Sequence, residues 1–366
     1  MVWSSRNVSQ LLLPTVFFGY ALWVTGSFLV DANQYQRDLP AAPGSMINGQ
    51  FTAKLETIYK DRLPYRLISV DLVGAARYLI FGEGRKGVVV GKEGWLFSSE
   101  EYRVASHEAQ NLTDAADLIA KVRDQLAAQG SDLIVLPLPA KADVYREFTA
   151  DPSLGDAMAS RYAAFRDALT ARSIKNVDTK TALLDTKGAD QVFLKSDTHW
   201  TPHGAAVVAD ATARAAGPAS NPVSFDIKAA ETLPLEGDLT KFIVSAKYAS
   251  YVSLPTEKVT VLQASAQAPA DSGAVDLFGG PSINMALVGT SYSANERWGF
   301  LASLKADMKS DIVNYAEEGH GPLVPMWNYL KSDLATKTPP KLVIWEFPVR
   351  YLTDPDVIAD IAARRQ

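Results

Sequence analysis

Residues 132–138 read DLIVLPL, and this unbroken apolar run limits the fold more than any other feature of the chain. A strand with one wet face alternates apolar and polar side chains. One without alternation is buried on both faces, the condition inside a parallel sheet covered by helices. Apolar strands are also expected at 283–288 and 342–347; a segment of helical periodicity at 113–129 precedes the first strand, those at 156–172 and 203–216 fall between the first and the second, and further helices precede the third. Alternation of this kind predicts an α/β fold with a mostly parallel sheet in three α/β/α layers. Between the helices lie an apolar segment at 177–184 and a strand-like stretch at 191–194. Thr201 is placed to cap the helix that Pro202 opens.

The remaining chain is organised around that sheet. Residues 87–97 (GVVVGKEGWLF) predict two strands about a Lys-Glu-Gly turn, and 46–81 predict two helices broken at Pro64. Residues 218–280 lose helical periodicity, so a strand-and-loop insertion is expected there, as a lid or a carbohydrate-facing wall. Val8–Val30 contains 23 residues with no charged side chain. About 20 apolar residues span a bilayer, so this segment is expected to be an uncleaved signal anchor, the alternative being a cleaved signal peptide. Arg6 before it and Asp31 after it favour export of everything that follows. The resulting division is an anchor at 1–31, a tether and helical lead-in at 32–85, and a catalytic domain at 86–366.

Composition excludes several functions. A formal charge of −5 provides no basic field for nucleic acid, so no nucleic-acid partner is expected. The absence of cysteine removes disulfides, thiol catalysis and thiolate metal sites. No cofactor is implied.

The chemistry concentrates in two short segments. Serine needs a base to act as a nucleophile at neutral pH, and the base needs a group that fixes its tautomer. Only four histidines exist, and two of them fall in 197–203. Asp197 and His199 are two residues apart, which in a looped segment turns both toward one cleft. Ser291 follows the apolar strand INMALVG and precedes a helix expected from about Ala294, so it stands at a strand-to-helix turn. Free N–H groups at such a turn bind an oxyanion. Taken alone, a Gly-x-Ser is equally a plain turn and an Asp-x-His a plain hydrogen-bonded pair.

Several secondary candidates have two readings. Tyr292 supplies an oxyanion N–H. Asn295 is an oxyanion donor or a helix cap. Arg350 holds a sugar carboxylate or orders the cleft through an ion pair. Lys141 and Tyr145 follow the carboxyl end of a buried strand, where open α/β sheets bind ligands, with a solvated surface position as the alternative for the lysine. Among the tryptophans, Trp200 beside His199 is the one expected to stack on a sugar ring, against the alternative of a core position. Asp197, His199 and His203 have a spacing compatible with a metal, but His203 is expected only to support the site from the first helical turn, so no metal is assigned.

Four segments together carry a resemblance: GKEGWLF at 91–97, KSDTHWTPHG at 195–204, VGTSYS at 288–293 and WEFPVRYL at 345–352. The chain resembles the alginate O-acetyltransferase family of SGNH-hydrolase-like proteins over residues 40–352, without the C-terminal carbohydrate-binding module of the soluble relatives. The resemblance implies an SGNH-like fold with its motifs in permuted order, and Ser291, His199 and Asp197 as nucleophile, base and orienting acid. It also implies a polysaccharide acceptor, a membrane-bound O-acyltransferase as donor partner, and a single-pass inner-membrane protein with its catalytic domain in the periplasm. Two other functions share the residues: a carbohydrate acetylesterase, and a non-catalytic subunit that binds polymer within an acetylation complex.

Overall fold

The computed structural model describes residues 5–30, 38–40, 44–62, 66–219, 221–267 and 284–364. They form two compact units, Met1–Ala76 and Arg77–Gln366.

The first unit contains helices Ser5–Val30, Gln50–Arg62 and Arg66–Ala76, with Phe28 meeting Tyr59 edge to face at 5.1 Å. Helix Ser5–Val30 covers the expected anchor. Among the described residues no helix is long and apolar enough to cross a membrane. Pro64, the expected break between the next two helices, and most of the 32–45 tether lie outside the described residues.

The second unit opens with an antiparallel hairpin, β1 (Val88–Val90) and β2 (Leu96–Ser98). Glu93 and Gly94, at φ of 53° and 79°, make its turn left-handed, the conformation that glycine adopts at no steric cost. The central sheet holds β3 (Asp132–Leu138), β4 (Lys175–Asn176), β7 (Met285–Val288), β8 (Ile312–Asn314) and β9 (Leu342–Pro348). Its order is β4-β3-β9-β7-β8 and every pairing is parallel. The edges are strands of two and three residues, too short to template further pairing.

Strand alternation sorts the core into two layers. Ile134, Leu136 and Leu138 of β3, Leu287 of β7 and Ile344 of β9 face one cluster with Leu183, Val208, Phe300 and Leu304 from the helices on that side. Leu133, Val135, Ala286, Val288, Val343, Trp345 and Phe347 face the other, with Leu126, Phe165 and Met326. Both faces are apolar, so the strands carry no polar alternation and the fold is α/β/α. Phe347 and Phe165 are fully buried with ring centroids 5.3 Å apart, a contact whose loss by truncation to alanine costs about 3–5 kcal/mol.

Several boundaries differ from expectation. The helix expected at 113–129 begins at Glu108, after His107 takes a left-handed φ of 62°. Residues 177–184 are mostly helical: β4 ends ahead of them at Asn176, and Asp178 caps a helix Thr179–Thr186 by accepting from Thr181 N–H. Residues 191–194 form a single bridge, Phe193 to Trp200, and not a sheet strand, because the chain turns back at once through 194–199. Within 218–280, β5 (Phe225–Leu235) and β6 (Glu257–Ala266) form a long antiparallel ribbon, and its connecting loop carries Asp238.

Candidate active site

Parallel pairing places the carboxyl ends of β3, β7 and β9 at one end of the sheet, and a side chain of the site follows from each. β7 runs into Gly289, Thr290 and a short helix Ser291–Ala294. The serine is therefore itself the first helical residue, three positions earlier than expected. Thr290 caps this turn, its hydroxyl accepting from Tyr292 N–H at 3.4 Å. At the first helical position the Ser291 N–H has no intrahelical acceptor, which leaves it available to an anion.

The 194–199 loop supplies the partners. Leu194 N–H donates to the His199 carbonyl at 3.1 Å and Thr201 N–H to the Val192 carbonyl at 3.0 Å, closing a tight hairpin with Asp197 near its tip. Thr201 also caps the following helix through Gly204 N–H at 3.1 Å, as expected. His199 Nδ1 lies 2.6 Å from Asp197 Oδ1 and His199 Nε2 lies 2.7 Å from Ser291 Oγ. Asp197 Oδ1 also accepts from the His199 N–H and Oδ2 from the Asp238 N–H, each at 2.9 Å. Burial alone would raise the Asp197 carboxyl. The hydrogen bond and charge of His199, with these backbone donors, outweigh it and hold the group below the ordinary aspartate range. Asp197 is thus anionic at neutral pH and orients the imidazole that faces Ser291.

Three acids are absent from the expected set; two of them hold this loop. Asp238 accepts the N–H and hydroxyl of Thr198 at 2.8 and 3.1 Å. Burial, and then the charge of Asp197, push its carboxyl up. Glu257 accepts the N–H groups of Lys195 and Ser196 at 2.8 Å each. Gly237 packs on the Ser196 carbonyl so closely that a Cβ there would lie 2.1 Å from the oxygen. The third absent group concerns the serine turn: Glu346, fully buried in β9, accepts from Thr290 N–H at 2.7 Å and Ser293 Oγ–H at 3.1 Å. An acid inside an otherwise apolar strand was the one signal of it in the sequence.

The secondary candidates are repositioned. Lys141 is fully buried and cannot reach a substrate; its ammonium donates to the carbonyls of Leu194, Lys195 and Asp197 at 2.9, 3.3 and 2.6 Å. Burial pulls its pKa down to about 8, against the attraction of Glu101 and Asp197. Tyr145 is also buried, its hydroxyl accepting from Val192 N–H at 2.9 Å. Trp200 is a core residue against Tyr292 and Phe300, not a sugar platform. Trp298 lies beside His199 instead, stacked on its ring at 4.9 Å and 19°. Tyr292 N–H is engaged by Thr290, and its hydroxyl donates to the Thr198 carbonyl at 2.8 Å. Asn295 caps the next turn by accepting from Arg297 N–H at 3.0 Å. Arg350 is buried, donates to the Tyr292 hydroxyl at 3.0 Å and pairs with Glu100 at 3.3 Å, so it orders the cleft from behind.

Among the described residues, His203 joins no ligand cluster. Among the described residues Asp197, His199 and Asp238 bring possible ligand atoms within 4.8 Å of one another. Both imidazole nitrogens of His199 are already engaged, by Asp197 and Ser291, so a metal would have to displace one of them.

Comparison with known proteins agrees with this arrangement of fold. A probable alginate O-acetylase AlgJ of Pseudomonas syringae pv. tomato is 36% identical over 97% of this chain and 93% of its own length. The corresponding protein of Azotobacter vinelandii is 39% identical over 88% of this chain and 86% of its own. The solved O-acetyltransferase domain of Pseudomonas putida AlgJ superposes with a TM-score of 0.65 at 38% identity, covering 75% of this chain and 98% of that domain. Residues 88–349 match the family model described as the SGNH hydrolase-like domain of acetyltransferase AlgX. With its parallel sheet, its strand-end serine and relatives that span almost the whole chain, the protein belongs to the SGNH hydrolase-like acetyltransferase family typified by AlgX and AlgJ.

Proposed function

We propose that this protein is a polysaccharide O-acetyltransferase that works through an acetyl-enzyme on Ser291. The observation that carries the reading is the unbroken chain Asp197 to His199 to Ser291, with contacts of 2.6 and 2.7 Å, at the carboxyl end of a parallel sheet. In the first half-reaction Ser291 Oγ attacks the acetyl carbonyl and its proton passes to His199 Nε2. The imidazolium so formed is stabilised by Asp197. The carbonyl oxygen becomes an oxyanion facing the Ser291 N–H, then the intermediate collapses, expelling the donor's leaving group with the proton from Nε2. In the second half a sugar hydroxyl gives its proton to Nε2 and attacks the acetyl-serine, and Ser291 Oγ takes the proton back. Transfer prevails over hydrolysis where the sugar is held in place and water excluded.

Val8–Val30, uncharged and preceded by Arg6, is an uncleaved anchor in the inner membrane, with the catalytic unit in the periplasm. A membrane-bound O-acyltransferase delivers the acetyl group. The names of the relatives make alginate the first acceptor to test.

The test is detergent-solubilised full-length protein incubated with an activated acetyl ester and alginate oligosaccharides. The account expects acetylated sugar from the wild type and none from Ser291→Ala. Free acetate as the sole product, with every acceptor, would make the protein an esterase; equal transfer by Ser291→Ala would refute the serine mechanism.

A further inference from the structure

Beneath the turn that carries Ser291 lies a carboxylate that the reaction above does not use. Glu346 is fully buried near the end of β9, the strand that pairs with β7. Its Oε2 accepts the Thr290 N–H at 2.7 Å, the Thr290 hydroxyl at 3.0 Å and the Ser293 hydroxyl at 3.1 Å, while Oε1 lies 3.1 Å from the same Thr290 hydroxyl. All of these donors belong to the five residues Gly289–Ser293. The approach is close enough that a Cβ on Gly289 would fall 2.5 Å from Oε2. A buried carboxylate is costly unless hydrogen-bonded, so this one has been kept where its acceptors meet a single turn.

From this geometry we infer that Glu346 is a positioning residue for the nucleophile, anchoring the Thr290 peptide and hydroxyl so that Ser291 Oγ and the Ser291 N–H hold their places together. The hydroxyl of Thr290 donates to Glu346 and has its lone pair left to cap Tyr292 N–H. One carboxylate therefore fixes both the backbone before the serine and the cap of the helix that begins at it. Attack and oxyanion binding demand those two atoms at the same time, and a displacement of about 1 Å in such a pair costs up to ~100-fold in rate.

The inference rests on Ser291 being the nucleophile, and the experiment separates the two. Full-length wild type, Glu346→Gln, Thr290→Val and Thr290→Ser are compared for melting temperature, for kcat and KM with an activated acetyl ester, and for the rate at which a fluorophosphonate labels Ser291. Glu346→Gln opposes an amide to the Thr290 and Ser293 donors, and Thr290→Val removes the shared hydroxyl with little change of shape. Both are expected to lower kcat and the labelling rate ~10- to 100-fold with KM within about twofold. Thr290→Ser restores the hydroxyl and is expected to restore both rates. If Glu346→Gln fails to fold, the Thr290 pair alone decides. Wild-type labelling with kcat in folded Glu346→Gln and Thr290→Val overturns the inference, as does a Thr290→Ser no faster than Thr290→Val. No labelling of the wild type at Ser291 refutes the serine mechanism, and with it the inference.

Discussion

The hydroxyl of Tyr292 donates to the carbonyl of Thr198 at 2.8 Å, joining the residue after Ser291 to the residue before His199. Arg350 donates to the same hydroxyl from the far side at 3.0 Å. The two halves of the site come from segments 92 residues apart, His199 to Ser291, and this bond holds them in register. Tyr292→Phe leaves the Thr198 carbonyl and one Arg350 N–H without their partner. It is expected to cost about 1–3 kcal/mol of stability and to lower kcat by about tenfold, with KM little changed; urea denaturation and steady-state kinetics measure the two.

Lys141 tests whether the 194–199 loop depends on a buried cation. Its ammonium satisfies three carbonyls within 194–197, and its charge faces buried Glu101. Lys141→Met retains the volume and removes every donor. The account expects a loss of about 3 kcal/mol and near-complete loss of acetyl transfer, read by thermal unfolding and by product formation. Retained activity in a folded Lys141→Met would show that the loop holds its shape without the cation.

How much of this was legible in the sequence follows from the physics of each element. The run at 132–138 was readable to the residue because a strand buried on both faces shows no alternation. Ser291, Asp197 and His199 stood out as candidates because strand ends and scarce histidines are local signals, but those signals alone fit a plain turn and a plain hydrogen-bonded pair equally well, and the family resemblance is what singled the three out together. Asp238 was not, since its hydrogen bonds to Thr198 and Asp197 arise when a loop of the inserted ribbon folds back over some 40 residues of chain. Trp200 was misjudged by adjacency: in the hairpin closed by Phe193 and Trp200, neighbouring side chains point oppositely, so His199 faces the cleft and Trp200 the core. β4 and β8, of two and three residues, are too short to carry a periodic pattern.

Glu346 also sets a pH dependence of stability. Burial is the largest cause and pushes its carboxyl up to about 7 despite its hydrogen bonds from Thr290 and Ser293, against an ordinary value of 4.5. A folded-state value above the unfolded one means that the folded protein binds the extra proton. The stabilisation is therefore complete below about 4.5 and lost as pH rises through about 7. Glu101 and Asp238 are raised in the same direction by burial, while Asp197 is lowered and acts only at more acidic pH. The melting temperature is expected to fall between about pH 4.5 and about pH 7, and Glu346→Gln to flatten part of that fall. A wild-type slope unchanged by the substitution would remove Glu346 as its source.

The most direct test of the central claim is peptide mass spectrometry after a brief incubation of full-length protein with an activated acetyl ester, quenched in acid. The account predicts an acetyl group on Ser291, absent in His199→Ala and discharged from the wild type when an acceptor oligosaccharide is added before the quench. Acetylated sugar formed by a protein that never carries acetyl on Ser291 would contradict it.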